Sequence, residues 1–373
     1  MSSSIIFIAL LLSMKKLLFV GLHRPDRSPS QRYRFEQFQP YLEEHGFAIT
    51  YFYLIRAQDD QKFYGSGHYF AKAFILCRSL LLLIGLLFRA GKYDLIFVQR
   101  EAFMLGTVFF EQILAKKAPL VYDFDDAIWL QNVSAGNKAL SFLKDAQKTE
   151  KLIALADLVL AGNAYLADFA RNFNEQVALV PTVVDTNKYK RVAASPREQV
   201  CIGWSGSFST IPYFEYALPA LKILQQKYGD RVYFKVIGDA SYYNKELNIR
   251  GVAWSSATEV AELSEIDIGI MPLPNDEWTK GKCALKGLLY MSLEQAAVLS
   301  DVGVNGTVIQ DGVNGFLASS TEEWVEKLSI LIENPTLRQQ IGQAARQTVL
   351  EQYSVLSEQK HLLDLLHSTL QQA

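Results

Sequence analysis

Two lysines and a tyrosine recur at intervals of four residues late in the chain. Lys282, Lys286 and Tyr290 lie in the stretch Trp278-Thr-Lys-Gly-Lys-Cys-Ala-Leu-Lys-Gly-Leu-Leu-Tyr, and residues four apart share one face of a helix. Ammonium groups near a helix N-terminus conflict with the helix dipole, and an anionic ligand offsets that conflict. The spacing predicts a helix over Cys283–Leu293 that binds a diphosphate. A solvated basic face with Tyr290 packed on a neighbour is the alternative.

A second candidate is the small-residue segment Gly203-Trp-Ser-Gly-Ser-Phe-Ser-Thr, which follows a predicted strand and precedes a predicted helix. The backbone N–H groups of such a loop can surround a phosphate. Ser205, Gly206 and Ser207 are therefore candidate anion-binding residues. A tight turn with a helix N-cap explains the same residue types.

A third candidate is the acidic cluster Asp123-Phe-Asp-Asp at the end of a predicted strand. Carboxylates this close repel one another, so they need a cation, hydrogen-bond donors or a raised pKa. These acids could bind sugar hydroxyls, position an acceptor, supply a base or hold a metal, and we assign Asp125 and Asp126 to the acceptor. A helix N-cap together with solvated acids is the alternative for at least one of them. Asp123-Phe-Asp also matches a metal-binding triplet of another fold, but the two-sheet organisation described below favours a site without metal.

Arginines are concentrated after the first predicted strand, in His23-Arg-Pro-Asp-Arg-Ser-Pro-Ser-Gln-Arg-Tyr-Arg. An acceptor phosphate or a diphosphate could bind this positive charge, whereas surface solvation explains some of the arginines. Arg32 and Arg34 are the members that we predict to bind the acceptor. Arg100 stands at the end of another predicted strand and is expected to line the same site. An internal ion pair with a neighbouring acid is the alternative for Arg100.

These candidates depend on an alternation of short apolar runs with helix-length stretches, which is typical of parallel strands joined by crossover helices. The strands predicted in the first half are Leu17–Gly21, Phe47–Leu54, Asp94–Gln99, Leu120–Phe124, Leu158–Ala161 and Val177–Pro181. Those predicted in the second half are Val200–Trp204, Val232–Ile237, Ile249–Ala253, Asp267–Met271, Ala297–Ser300 and Gly315–Ala318.

Helices are predicted between the strands of both halves. They are Tyr33–Glu44, Tyr69–Arg89, Ala102–Ala115, Lys138–Ala154, Ala164–Phe173, Tyr213–Tyr228, Thr321–Glu333 and Thr336–Tyr353, besides Cys283–Leu293. The segment Pro181–Pro196 is polar and aperiodic, so the domain boundary is placed there. We expect an N-terminal domain over 14–185, a C-terminal domain over 198–354, and a helix over 355–373 that packs back on the first domain. Ligands are expected in a central cleft, outside the carboxyl ends of the strands.

Composition excludes several classes of protein. The chain has 373 residues, is 50% hydrophobic and carries a net charge of -2, which is globular composition without the signature of a nucleic-acid-binding protein. Its three cysteines, Cys77, Cys201 and Cys283, lack the spacing of a disulfide framework or a zinc site. A reducing cytoplasm is the expected location.

Two apolar segments bear on membrane contact. The first, Ile5–Leu12, is too short to span a bilayer, and we interpret residues 1–13 as an upstream extension; a weak anchor is the alternative. The second, Leu80–Phe88, belongs to a predicted helix over 71–90 that also carries Lys72, Arg78 and Arg89. It fits either a buried helix on a sheet or peripheral contact with the inner face of the cell membrane.

Taken together, these motifs resemble those of bacterial retaining glycosyltransferases of the group 1 class, glycosyltransferase family four. The resemblance runs from Met14 to about Ser354. Its motifs are Asp267-Ile-Gly-Ile-Met-Pro-Leu-Pro, Gly281-Lys-Cys-Ala-Leu-Lys-Gly-Leu-Leu-Tyr-Met, Gly303-Val-Asn and Gly312-Val-Asn-Gly-Phe-Leu, with Tyr122-Asp-Phe-Asp-Asp-Ala-Ile-Trp and Ile202-Gly-Trp-Ser-Gly-Ser. It implies a GT-B fold of two Rossmann-like, open parallel-sheet domains facing a central cleft. It also implies a nucleotide-sugar donor held by the C-terminal domain, an acceptor held by the N-terminal domain, and no catalytic metal or other cofactor.

The resemblance completes the candidate donor site with Asp239, Pro272, Val304 and Asn305. It also shows two departures from the family. The family's donor helix usually carries two glutamates where this chain has Lys282 and Tyr290, and the usual arginine and lysine of the donor loop are replaced by Trp204 and the following small residues. Related members share a Lys-Cys…Lys…Tyr helix, so we interpret the departure as a subgroup trait in which Lys282 and Lys286 meet the diphosphate charge.

The function predicted is transfer of a sugar, with retention, from a nucleotide diphosphate to a saccharide or lipid-linked saccharide in polysaccharide synthesis. Lys282, Lys286 and the amides of Ser205–Ser207 would stabilise the leaving diphosphate. A nucleotide-sugar epimerase or hydrolase on the same fold is one alternative. A non-catalytic nucleotide-sugar-binding protein is the other, because both glutamates are missing.

Overall fold

A computed structural model describes residues 14–65, 67–130, 145–192 and 197–372. The chain divides into two compact units. The first takes in the chain up to Pro181 together with Gln359–Ala373, and the second is Thr182–Glu358. The interpretation of residues 1–13 as an extension lies outside the described residues, as do part of the predicted helix Lys138–Ala154 and part of the predicted linker.

The first unit contains a six-stranded, wholly parallel sheet with the strand order β2-β1-β3-β4-β5-β6. Its strands are apolar on both faces because helices cover both faces of a parallel sheet; Leu17, Phe19 and Val98, for example, are fully buried. The strands are β1 Lys15–His23, β2 Phe47–Ile55, β3 Leu95–Gln99, β4 Leu120–Phe124, β5 Leu158–Ala161 and β6 Val177–Leu179.

Helices of the first unit connect these strands, and the last helix of the chain packs on this unit through His367 against Phe47. The helices are α1 Pro29–Arg34, α2 Gln39–Glu44, α3 Asp60–Tyr64, α4 Tyr69–Leu87, α5 Phe109–Ala115, α6 Lys148–Leu155, α7 Ala164–Arg171 and, at the C-terminus, α16 Val355–Gln372.

The second unit contains a seven-stranded sheet with the order β13-β12-β11-β7-β8-β10-β9. All its strand pairs are parallel except β9 with β10. The strands are β7 Val200–Ser205, β8 Val232–Gly238, β9 Tyr243–Asn244, β10 Ile249–Ala253, β11 Ile268–Met271, β12 Ala296–Ser300 and β13 Phe316–Ala318.

The helices of the second unit bury their apolar stripes against this sheet, with Trp204, Phe214 and Leu328 in the core. They are α8 Ile211–Glu215, α9 Leu218–Tyr228, α10 Glu259–Ser264, α11 Glu277–Lys280, α12 Leu285–Ser292, α13 Asn305–Val308, α14 Thr321–Glu333 and α15 Pro335–Gln352.

Every predicted strand is present, whereas several predicted helices are interrupted. The one predicted over Tyr33–Glu44 breaks after Arg34, and α2 restarts with Pro40 in its first turn, where proline's missing N–H is tolerated. The helix predicted over Tyr213–Tyr228 breaks in the same way, with Pro219 in the first turn of α9.

The helix predicted over Ala102–Ala115 begins only at Phe109. The carbonyl oxygens of Phe103 and Leu105 accept hydrogen bonds from the Lys148 ammonium, so they are not available to a helical ladder. The short antiparallel strand β9 was missed, because two residues carry no periodic signal.

Among the described residues, α4 is long and apolar enough, by length and composition, to cross a membrane. Only one side of α4 packs on the first unit. Phe70, Phe74 and Leu81 on the other side are exposed, so the interpretation of α4 as a buried helix is wrong for that side.

Candidate functional site

The candidate donor residues follow four adjacent strands of the second unit. Strands β12, β11, β7 and β8 are neighbours and parallel, so their carboxyl ends meet at one edge of the sheet. Ser205 ends β7, Asp239 follows β8, Pro272 follows β11, and Val304 and Asn305 follow β12. The sheet therefore brings these residues to the edge at which ligands bind in open α/β folds.

Lys282 lies before the helix that was predicted to carry it. Ala284 has a left-handed backbone conformation (φ 54°), and α12 begins at Leu285. The amide of Lys282 donates to the carbonyl oxygen of Thr279 at 3.0 Å, which closes a turn at the end of α11. The prediction that Lys282, Lys286 and Tyr290 share one helix face is therefore wrong for Lys282.

Both lysines nevertheless stand over indole rings. The Lys282 ammonium lies 5.1 Å from the ring centroid of Trp278, and the Lys286 ammonium lies 5.6 Å from that of Trp204. Such cation–π contacts attract the ammonium group to the face of the ring and help to fix its position. Both lysines are half-buried, so a ligand can reach them.

Tyr290 is a core residue rather than a donor contact. Its side chain is fully buried, and its hydroxyl accepts a hydrogen bond of 2.8 Å from the backbone N–H of Ser205. Burial raises the pKa of this hydroxyl well above its usual value. Gly269 on β11 makes the room, since a Cβ there would lie 2.2 Å from the tyrosine ring. The structure thus places Tyr290 as a tether between α12 and β7, and it corrects the prediction that Tyr290 binds the donor.

The amides of Ser205–Ser207 are also occupied. The N–H of Ser205 bonds to Tyr290, that of Gly206 bonds to the carbonyl oxygen of Ile237 at 2.9 Å, and that of Ser207 bonds to the Thr210 hydroxyl at 2.9 Å. The prediction that these three amides surround a phosphate is therefore wrong in this structure. Instead, the loop exposes the hydroxyls of Ser207 and Ser209 to solvent, and these two oxygens lie 2.9 Å apart.

Two glycines, Gly206 and Gly238, allow the loop after β7 to lie directly against the end of β8. Gly238 has a φ of 136°, and a Cβ on it would come within 2.0 Å of the Gly206 carbonyl oxygen. A Cβ on Gly206 would lie 2.2 Å from the Trp204 ring. The two backbones can approach each other only because both positions lack a side chain.

The remaining donor candidates shape the loops at this edge. A carboxylate oxygen of Asp239 accepts from the amide and hydroxyl of Ser241, at 2.9 and 2.6 Å, and Pro272 is buried. Asn305 donates its side-chain amide to the Ser300 carbonyl oxygen at 2.9 Å, while its Oδ1 has no hydrogen-bond partner among the described residues. Val304 beside it is half-buried.

In the first unit, Arg100 joins the two acids predicted to orient an acceptor. Its guanidinium donates to Asp125 at 2.7 and 2.9 Å and also to Asp126. Ser30 donates its hydroxyl to the other oxygen of Asp125 at 2.6 Å. Burial alone would lower the pKa of Arg100, but the two carboxylates raise it. The internal ion pair that the sequence left open is therefore present, and all three side chains stay near the carboxyl edge of β3 and β4.

Arg34 is not placed to bind an acceptor. Its side chain is fully buried, and it forms a two-pronged ion pair with Asp123, which is equally buried. It also donates to the carbonyl oxygen of Val180. The structure corrects this prediction, because burial and pairing leave Arg34 no surface for a ligand. Arg32 is nearly buried as well, lying 3.7 Å from Asp26 and over the Tyr33 ring.

His23 was missed as a candidate. It ends β1, next to β3, and its Nε2 is hydrogen-bonded to the Tyr64 hydroxyl. Burial, with a smaller contribution from Arg27, lowers the pKa of His23 to about 4, so the imidazole is neutral at neutral pH. The available signal was a histidine at the carboxyl end of a buried strand. Among the described residues, no group of three or more His, Cys, Asp or Glu side chains is placed to hold a metal ion.

Comparison with known proteins fits this architecture. Residues 199–334 match the model of the family Glycosyl transferases group 1, whereas no curated protein sequence matches the chain. A glycosyltransferase from Rickettsia africae is 14% identical with a TM-score of 0.67, covering 96% of this chain and 100% of that one.

Two further solved structures resemble this chain with similar TM-scores. HepE from Anabaena, in complex with UDP and glucose, is 17% identical with a TM-score of 0.66, covering 95% of this chain and 100% of its own. Sucrose-phosphate synthase from Thermosynechococcus elongatus is 10% identical with a TM-score of 0.67, covering 96% and 100%. With its two parallel-sheet α/β units, the chain has the fold of the GT-B glycosyltransferases.

Proposed function

We propose that this chain is a glycosyltransferase that moves a sugar from a nucleotide-diphosphate sugar to a saccharide or lipid-linked saccharide, with retention at the anomeric carbon. The observation that carries the proposal is the placement of Lys282 and Lys286. Both ammonium groups lie in the loop and helix that follow β11, inside the segment 199–334 that matches the group 1 family.

The lysines are assigned to the diphosphate because the other predicted donors are occupied. Since the amides of Ser205, Gly206 and Ser207 are bonded internally, we assign the diphosphate to the ammonium groups of Lys282 and Lys286. Negative charge grows on the diphosphate as the bond to the sugar breaks, and fixed cations stabilise that charge most strongly in the transition state.

Asp125 and Asp126 are proposed to orient the acceptor rather than to remove its proton. Both are paired with Arg100, and the second oxygen of Asp125 accepts from the Ser30 hydroxyl, so these carboxylates are held in place by fixed donors. A carboxylate held in this way still accepts hydrogen bonds from sugar hydroxyls. In this proposal the departing phosphate takes the acceptor's proton, and no metal or other cofactor takes part.

UDP-glucose is the first donor to test, because HepE from Anabaena was also solved with UDP-glucose, at 16% identity and a TM-score of 0.63 over 95% of this chain and 99% of that one. We further propose that the protein works in the cytoplasm at the inner face of the cell membrane, in polysaccharide synthesis. This placement is supported by the resemblance of the chain's motifs to bacterial group 1 enzymes and by the exposed apolar side of α4.

The test is release of nucleoside diphosphate from UDP, GDP, ADP and CMP sugars, with and without a panel of saccharide and lipid-linked acceptors. We expect release that depends on an acceptor, and a fall in kcat/KM of about tenfold or more for Lys282→Ala and for Lys286→Ala, because each loses a charge-assisted contact. Lys222→Ala, which removes a surface lysine paired with Glu246, is the matched control.

Other outcomes point to other functions. Conversion or hydrolysis of the donor without an acceptor would favour an epimerase or hydrolase. Binding without turnover across the panel would favour a non-catalytic binding protein, the alternative motivated by the missing glutamates.

A further inference from the structure

Helix α4 is fastened to the first unit along one stripe of its surface. The buried side chains of this inner stripe are Lys72, Ile75, Ser79, Leu83 and Leu86, which fall on one side of a helix at about 100° per residue. The Arg78 guanidinium donates to Asp59 and to the Leu54 carbonyl oxygen, each at 2.7 Å. The helix therefore has a fixed orientation on the unit.

The opposite side of α4 is apolar and exposed. The members of this outer stripe are Phe70, Phe74, Cys77, Leu81, Ile84 and Phe88, which fall within about 40° of one line along the helix. Phe70 is 96% exposed, Phe74 68%, Leu81 69% and Phe88 88%. A continuous apolar surface of this kind marks a contact with a partner or a membrane.

Charge around the stripe indicates which contact. The sequence holds no acidic residue from Gln61 to Tyr93. Lys62 precedes the helix, Arg89 and Lys92 follow it, and all three are exposed. An apolar stripe with aromatic side chains at both ends and basic residues beyond them complements a bilayer surface that contains anionic headgroups.

We propose that the outer stripe binds an anionic lipid bilayer, with α4 lying in the plane of the headgroups rather than crossing the membrane. A crossing helix would take Lys72 into hydrocarbon and separate Arg78 from Asp59, both at high cost. Lying flat, α4 keeps every contact of its inner stripe and buries only side chains that the fold leaves exposed. The inference rests on the first unit alone and holds whether or not the chain transfers sugar.

Flotation of the purified full chain with vesicles tests the proposal. We expect binding to vesicles of phosphatidylcholine mixed with phosphatidylglycerol, weaker binding to phosphatidylcholine alone, and partial release by salt. The double variant Phe70→Ser/Phe74→Ser should lower the partition constant at least about tenfold. Tyr216→Ser, which changes a 59% exposed aromatic of the second unit, should not. Both variants should keep the wild-type Tm, because the altered side chains are exposed.

A fluorophore on Cys77, in a Cys283→Ser background with Cys201 buried, gives an independent readout. Its emission should shift to the blue with anionic vesicles. Three results would overturn the proposal: no binding by the wild type, equal binding by the double variant, or binding lost only when residues 1–13 are removed. A lipid-free dimer that the double variant converts to monomer would assign the stripe to a second copy of the chain instead.

Discussion

The bond between the Tyr290 hydroxyl and the Ser205 amide shows how one side chain can take a structural role at a ligand-binding edge. Tyr290 fills the space left by Gly269 and holds the end of β7 to α12. A glutamate side chain is smaller than the tyrosine ring and would leave part of that space empty. The proposed donor contacts therefore come from residues around Tyr290 and not from Tyr290 itself.

Replacing Tyr290 with phenylalanine separates the structural from the ligand-binding role. Tyr290→Phe leaves the Ser205 amide without its partner and should lower the free energy of unfolding by about 1–3 kcal/mol, seen as a lower Tm. Donor affinity should stay within about threefold of the wild type, a small change on the affinity scale.

Gly269→Ala is the companion variant. It pushes a methyl group into the same ring and should destabilise the second unit by about 1–3 kcal/mol. A large loss of donor affinity in Tyr290→Phe with an unchanged Tm would show that the hydroxyl contacts the donor.

Because His23 is neutral in the folded chain, it makes the free energy of unfolding depend on pH. Its pKa in the folded chain is about 4, below the value of about 6.5 expected when unfolded. The unfolded chain therefore binds more protons between those two values, and stability falls as the pH drops through this window. In His23→Asn, urea unfolding from pH 7 to pH 4 should show a shallower loss of stability. An unchanged slope would mean that His23 is protonated in the folded protein.

At the scale of elements, one buried ion pair joins α1 to β4. Arg34 on α1 and Asp123 on β4 are both removed from solvent, and removing one partner of such a pair leaves an uncompensated charge. Asp123→Asn should therefore destabilise the first unit by about 3–5 kcal/mol. Chemical denaturation followed by fluorescence measures the effect.

The surface pair Arg171–Asp168 provides the comparison, because both side chains are largely exposed. Arg171→Ala should change stability by less than about 1 kcal/mol. Equal effects of Asp123→Asn and Arg171→Ala would contradict the structural role given to the buried pair.

Most strands were predictable from the sequence because they are short apolar runs, and β3, β11 and β12 are buried along their whole length. The breaks in the helices could not be predicted from the sequence in the same way. A proline such as Pro40 or Pro219 is compatible either with a kink in one helix or with the first turn of a new helix. The pairing of Arg100 with Asp125 and Asp126, and of Arg34 with Asp123, joins residues far apart in the chain. No local pattern distinguishes Arg34 from Arg100, so the sequence predicted both to line an acceptor site, although Arg34 is buried.

For the whole molecule, the sequence predicted that the candidate donor residues meet at one edge of the second sheet. The structure brings them to one edge, because Ser205, Asp239, Pro272 and Asn305 each end or follow a recognisable strand. The sequence could not show that the Ser205–Ser207 amides are used internally, because their partners Tyr290, Ile237 and Thr210 come together only in the folded unit. In the proposed function, Lys282 and Lys286 bind the diphosphate of a nucleotide sugar through their positive charge.

Calorimetric titration tests that claim most directly. The ligand is the nucleotide sugar that raises the Tm most among UDP, GDP, ADP and CMP sugars, and the proteins are the wild type, Lys222→Ala and the double variant Lys282→Ala/Lys286→Ala. We predict equal affinity for the wild type and Lys222→Ala, and a loss of about a hundredfold or more in the double variant, since each lysine makes a charge-assisted contact. No stabilisation by any of the nucleotide sugars, or an unchanged Kd in the double variant, would contradict the account.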